Sequence, residues 1–173
     1  NNMLKFFQFS ETISGTTFFL RQLFTILLSV PAIIVFISLV STYMIGEGII
    51  DVNNPDSFDQ SSIEKIQENP DQFLSDLWSY MTTGWLLSLF IALLPAIWFG
   101  LATSYKRISA LFYENRNNLF AAYFGFDLIN NAISLGILES LSFLDTFFSI
   151  ISLLIFFFLV FKSSEIEKDE HEG

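Results

Sequence analysis

The chain has 173 residues, a net charge of -10, 52% hydrophobic residues and a mean hydropathy of +0.53, and 22 of its residues are Phe. That much apolar side chain exceeds what a soluble domain of this length hides, so a membrane protein is the expected class. The absence of cysteine excludes disulfides, thiolate metal sites and iron–sulfur clusters, and the single histidine, His171, lies in a charged tail, so no metal, cofactor or Ser-His-Asp chemistry is expected.

The chain opens Asn1-Asn2-Met3, and its numbered start need not be the gene start; no signal-peptide cleavage pattern precedes the first apolar run. From Met3 to Thr17, Leu4, Phe6, Phe7, Phe9 and Ile13 alternate with Lys5, Gln8, Ser10, Glu11 and Thr12. This stretch is too short and polar to span, and reads either as an interfacial segment or as an ordered N-terminal arm. Leu23 to Ile45 is uncharged and long enough to cross about 30 Å of hydrocarbon at about 1.5 Å per residue, which makes 23–45 the first expected span. Arg21 stands just before it as an anchor able to snorkel to phosphates, and Pro31 interrupts its hydrogen-bond ladder at the Leu27 carbonyl.

Residues 46–82 form an acidic aqueous loop; Glu47 to Asp76 carries eight acidic residues against Lys65 alone. Asn54-Pro55-Asp56 and Asn69-Pro70-Asp71 are expected turns, Ser61 to Ile66 a short helix, and Asp71 to Tyr80 a second. The loop lacks the spaced ligands and central Gly of a calcium-binding loop, so it reads as a solvated face. Trp78, Tyr80 and Trp85 then cluster as an aromatic belt at the next membrane entry.

The second expected span, 84–105, contains Pro95 and a ridge of small residues at every fourth position, Ala92, Ala96, Gly100 and Ser104, where another backbone can approach closely. The third, 118–138, carries Asp127 about 13 Å deep at helical rise. Tyr123, Asp127, Asn130, Asn131 and Ser134 fall on one side of that helix, and such a stripe faces protein or water rather than lipid. Two readings follow: a proton- or cation-binding site with Asp127 as the titrating group, or interhelical hydrogen bonding with Asp127 held by Lys106, Arg107, Arg116 or a hydroxyl. A polar turn, Glu139 to Asp145, leads to the fourth span, 144–161, which Lys162 closes; 162–173 is a charged tail that does not fold alone.

Lys5, Arg21, Lys106, Arg107, Arg116, Lys162 and Lys168 fall on one side of this four-span arrangement and Lys65 on the other. The positive-inside rule then places both termini in the cytoplasm, with Arg21, Lys106, Arg107, Arg116 and Lys162 as anchors. The expected fold is therefore an all-α polytopic membrane protein: a single four-helix domain over 1–161, an N-terminal interfacial segment and an acidic extracytoplasmic loop.

Two segments are similar to a known family. Phe9-Ser10-Glu11-Thr12-Ile13-Ser14-Gly15-Thr16-Thr17-Phe18-Phe19-Leu20-Arg21, and Leu94-Pro95 through Tyr105-Lys106-Arg107-Ile108, resemble the opening and the Pro-bearing helix of the bacterial inner-membrane domain-of-unknown-function family 805. The chain has Glu11-Thr12 and Ser109-Ala110 where that family carries Gly-Arg and His-Asp, and lacks its Gly-rich C-terminal signature. The resemblance implies four helices in a bacterial cytoplasmic membrane and no established activity.

No Gly-rich phosphate loop or frame of paired catalytic carboxylates occurs, and the acidic segments disfavour nucleic acid. The expected function is that of a non-enzymatic accessory or structural subunit whose partners are the bilayer and other membrane subunits or further copies of itself. The alternative is a small transporter or channel component using the stripe around Asp127.

Overall fold

The structure, a computed structural model, describes residues 2–51, 53–58, 60–135 and 138–165. The charged tail beyond 165, with Lys168 and His171, lies outside the described residues, as do residues 136 and 137 of the third expected span. The protein is mostly helical: α1 (Asn2–Lys5), α2 (Gly15–Leu28), α3 (Val30–Gly46), a ribbon of β1 (Ile50–Asp51) and β2 (Asn54–Phe58), α4 (Gln60–Glu68), α5 (Pro70–Tyr80), α6 (Thr83–Leu111), α7 (Arg116–Ser134), a 3₁₀ turn over Glu139–Leu144, and α8 (Asp145–Phe161). Where the sequence reads as a single membrane domain, the contacts form two compact units, Asn1–Ile26 with Ile97–Gly173, and Leu27–Ala96.

Three segments are long and apolar enough to cross a membrane: Gly15–Gly46, Thr83–Leu111 and Ser140–Phe161. This corrects the expected count of four. The helix over most of 118–138 exists as α7, but Arg116, Asp127 and four Asn among its 19 residues leave its longest uncharged apolar run at Leu119 to Phe126. Within the three apolar segments little surface is internal; only 6% of the most apolar window of Ser140–Phe161 is buried. Such a face requires lipid or protein rather than water.

The first segment starts earlier than 23 because Ser14 caps it, its Oγ accepting from the Thr17 amide at 3.1 Å. Its ladder breaks at Ser29, two residues before Pro31, whose missing N–H cannot serve Leu27. Beyond the break, the α3 hydroxyls bond within their own helix, Ser38 Oγ to the Ile34 carbonyl (2.8 Å) and Thr42 Oγ1 to Ser38 (2.7 Å), which satisfies them without an outside partner. Pro95, by contrast, lies inside a helix that continues through it.

In the 27–96 unit, Leu39, Tyr43 and Leu77 form the buried core, with Phe73, Met81 and Trp85 packed against it. Tyr43 meets Phe73 and Tyr80 edge to face, at 5.7 and 5.4 Å between centroids. Asn69-Pro70-Asp71, expected as a turn, is instead the cap and first turn of α5: Asn69 accepts from the Gln72 amide, Pro70 is the first helical residue and Asp71 lies in the first turn. Asn54-Pro55-Asp56 is not the expected turn; it belongs to β2, antiparallel to β1 with Ile50 opposite Phe58 and Asp51 opposite Asn54. A two-stranded ribbon has only edge strands, which tolerate a proline. The sharp reversal comes earlier, after α3, where the Ile49 amide bonds Met44 (2.9 Å), the Gly48 amide bonds Ile45 (3.1 Å), and Gly48 takes φ +70°. A Cβ on Gly48 would meet nothing within 4 Å, so Gly48→Ala tests the backbone conformation alone. It is expected to lower stability by about 1 kcal/mol, read as the unfolding midpoint in detergent.

The other unit gathers around Ile13, Phe18, Ile108, Leu111 and Leu159. Short connections make α7 and α8 neighbours, and Phe126 stacks on Phe148 at 5.3 Å and 7°. The N-terminal segment is an ordered arm: the Phe7 carbonyl accepts from Trp98 Nε1 (2.9 Å), and Phe9 meets Trp98 and Tyr105 edge to face.

Candidate functional site

Three groups of polar residues in the unit of 1–26 and 97–173 could carry function: the α7 stripe, the basic pair at the foot of α6, and a cleft beside them. The stripe does not converge. Tyr123 packs on the core cluster. One turn on, Asp127 is half-buried; its carbonyl accepts from Asn131 Nδ2 at 2.7 Å, a bond within the helix. Asn130 Oδ1 is buried without a hydrogen-bond partner. Ser134 points elsewhere, donating to Asp145 Oδ1 at the start of α8 (2.5 Å).

Of the reading in which Asp127 is held by Lys106, Arg107, Arg116 or a hydroxyl, the ion pair does not form: the carboxylate makes none among the described residues. Its supposed basic partners are engaged elsewhere. Helical spacing carries no information on what stands opposite Asp127.

Lys106 and Arg107, expected as cytoplasmic anchors, are 0% and 1% exposed. Lys106 Nζ donates to the Lys5 carbonyl in the arm at 2.6 Å. Arg107 is a hub: Nε donates to the Leu159 carbonyl (2.5 Å), Nη1 to Ile13 (3.2 Å) and to Ser164 Oγ (2.8 Å), and Nη2 to the Lys162 carbonyl (2.5 Å). These acceptors include unsatisfied carbonyls at the end of α8, where the helix dipole favours a cation. No carboxylate faces the guanidinium among the described residues; carbonyl oxygens solvate it. Arg21 is likewise 6% exposed and sits 4.7 Å over the Phe6 ring, an internal cation–π contact in place of the expected reach to phosphate.

The junction is tight because Gly15 lies against α8. A Cβ built there would stand 1.9 Å from the Val160 carbonyl oxygen and 3.2 Å from Arg107 Nη2. Sequence reasoning passed over Gly15, Ser164 and the carbonyl role of Leu159, since contacts across more than fifty residues leave no local signal. Of the ridge, Ala96 and Ser104 are buried, Ala92 and Gly100 partly so, and a Cβ on Gly100 would meet Thr25 of α2 at 3.7 Å. Lys162 is the exposed residue that ends α8.

An open cleft of about 960 Å³ lies between the arm, the end of α6, the turn into α7 and Glu165. Arg116 stands in it as the first residue of α7, with its guanidinium 4.2 Å over the Tyr113 ring and Nε donating to the Tyr105 hydroxyl (3.3 Å). Tyr105 in turn donates to Asn117 Oδ1 (2.8 Å), which fixes the hydroxyl. Glu11 lines the cleft with a left-handed backbone (φ +70°), a conformation a non-glycine residue holds only where its surroundings impose it. Glu165 is set by its amide, which donates to the Ala110 carbonyl at 3.0 Å. None of the five stripe residues borders this cleft. A smaller cleft, about 380 Å³, lies in the 27–96 unit between Glu47, Glu68 and Asp76.

No family model, no curated protein and no solved structure matches the chain.

Proposed function

We propose that the chain is a non-enzymatic integral membrane protein, a small accessory or structural subunit of a membrane assembly in a bacterial cytoplasmic membrane. The observation that carries this reading is the division of labour among its side chains. The apolar faces of Gly15–Gly46, Thr83–Leu111 and Ser140–Phe161 look outward, while Lys106 and Arg107 are committed to backbone carbonyls of the same chain. Outward apolar surface suits lipid and neighbouring helices, and basic groups engaged with their own backbone are not available to a substrate. Three crossings leave the two ends on opposite sides of the membrane, and the same proposal sets the basic foot of α6 on the cytoplasmic side.

A second reading, a transporter or channel component, is favoured by one observation: among the described residues Asp127 has no ion-pair partner and the buried Asn130 Oδ1 beside it has no hydrogen-bond partner. A carboxylate in apolar surroundings is costly unless it is protonated or watered, and intramembrane carboxylates commonly mark ion paths. Cross-linking of tagged protein in its own membrane, followed by mild detergent extraction, is expected to recover a defined complex or homo-oligomer. Asp127→Asn is expected to leave proton and cation flux of reconstituted liposomes at the protein-free background, as the parent does. A parent flux abolished by Asp127→Asn would replace the subunit reading with the transport one.

A further inference from the structure

The cleft beside Arg116 is used by neither reading, and its chemistry is specific. Among the described residues, the cleft is lined by the cation Arg116, by the carboxylate residues Glu11, Glu114 and Glu165, and by Phe9, Tyr105 and Tyr113. Arg116 is held from behind: Nε donates to the Tyr105 hydroxyl and Nη1 to the Tyr113 carbonyl. A guanidinium fixed in this way offers its remaining N–H edge to a phosphate oxygen. The carboxylates and ring faces offer the complementary environment for an ammonium. Among the described residues, Glu114 is exposed on the turn without a side-chain hydrogen bond, and Glu11 makes a surface pair with Lys5, which contributes little. A simple anion would meet net negative charge here, and a simple cation would leave Arg116 unused.

Position adds to charge. α6 has 29 residues and is about 43 Å long, against a hydrocarbon core of about 30 Å, so its ends project beyond the apolar layer. Tyr105, Ser109 and Phe112, which line the cleft, belong to the basic end. In the membrane placement of the preceding subsection, on which this inference rests, the cleft opens at the depth of the lipid headgroups.

We propose that this cleft binds the headgroup of a zwitterionic phospholipid, with Arg116 Nη2 on the phosphate and Glu11, Glu114 and Glu165 around the ammonium. Native mass spectrometry of the full chain, titrated with phosphatidylethanolamine or phosphatidylglycerol from the same micelles, reads the site directly. The expected result is one saturable phosphatidylethanolamine adduct per chain and weaker phosphatidylglycerol binding. Arg116→Gln is expected to weaken the phosphatidylethanolamine adduct roughly tenfold, the loss of one charge-assisted hydrogen bond. Glu114→Gln, an exposed change that leaves the fold intact by circular dichroism, is expected to weaken phosphatidylethanolamine several-fold and not phosphatidylglycerol, as removal of a carboxylate from the ammonium predicts. Equal binding of the two lipids by the parent, or parental affinity in both variants, overturns the proposal. Free phosphoethanolamine separates the sources: binding as tight as that of the lipid assigns the same headgroup chemistry to a soluble ligand, and weaker binding assigns it to the bilayer. Resistance to carbonate extraction tests the membrane placement separately, so that its failure is not mistaken for failure of the cleft.

Discussion

Arg107→Met is expected to be the most damaging single substitution in the chain, lowering stability by on the order of 3 kcal/mol or more, because several buried acceptors lose a charged donor together. Methionine keeps the aliphatic stem and so isolates the loss of the guanidinium. The carbonyls of Ile13, Leu159 and Lys162 and the Ser164 hydroxyl are then left without it. Arg107→Lys keeps the charge but presents a compact ammonium in place of the planar fork, and is expected to fall between the parent and Arg107→Met. Unfolding midpoints in a single detergent rank the three proteins. A methionine variant as stable as the parent would show that the hub contributes nothing, and an anchor in contact with phosphates would behave that way.

Gly15→Ala carries the second large effect, and its sign is diagnostic. Gly15 opens α2, where Ala is the better helix former by up to about 1 kcal/mol, so local propensity predicts stabilisation. The packing predicts the reverse. A Cβ 1.9 Å from the Val160 carbonyl oxygen cannot be accommodated by a side-chain rotation, and either α2 or the end of α8 must move. Overpacking of this kind costs about 1–3 kcal/mol, and more where backbone is displaced. The control is Gly125→Ala in α7, where an added Cβ meets nothing within 4 Å and propensity alone acts; it is expected to raise the midpoint. Since Gly15 and Arg107 share one junction, Gly15→Ala is expected to cost less in the Arg107→Met background than in the parent. Full additivity of the two would argue that the arm and α8 are not joined there.

The local elements were legible where their determinants are local. The expected helix from Asp71 to Tyr80 is α5, and the apolar runs announce the three long segments. Boundaries were missed where a cap or a charge decided them: Ser14 starts α2 eight residues before the expected span, and α6 runs on through Lys106 and Arg107 to Leu111. The candidate site was less legible. Basic residues at the foot of a span read as anchors, because hydropathy counts a charge without knowing which carbonyls surround it. Pro55 read as a turn because proline seldom enters strands, and only the pairing of β1 with β2 makes an edge available to it.

The sequence by itself determined the apolar segments long enough to cross a membrane and the acidic stretch between the first two, both of which follow from composition. Tertiary structure alone decided what the polar groups do. Arg107 finds carbonyls at Ile13, Leu159 and Lys162, and Arg116 rather than Asp127 stands in the larger cleft. The physical reason is reach: a helix period ranks the faces of one segment, whereas a buried guanidinium is satisfied by acceptors from whichever distant segments the packing brings within hydrogen-bond distance.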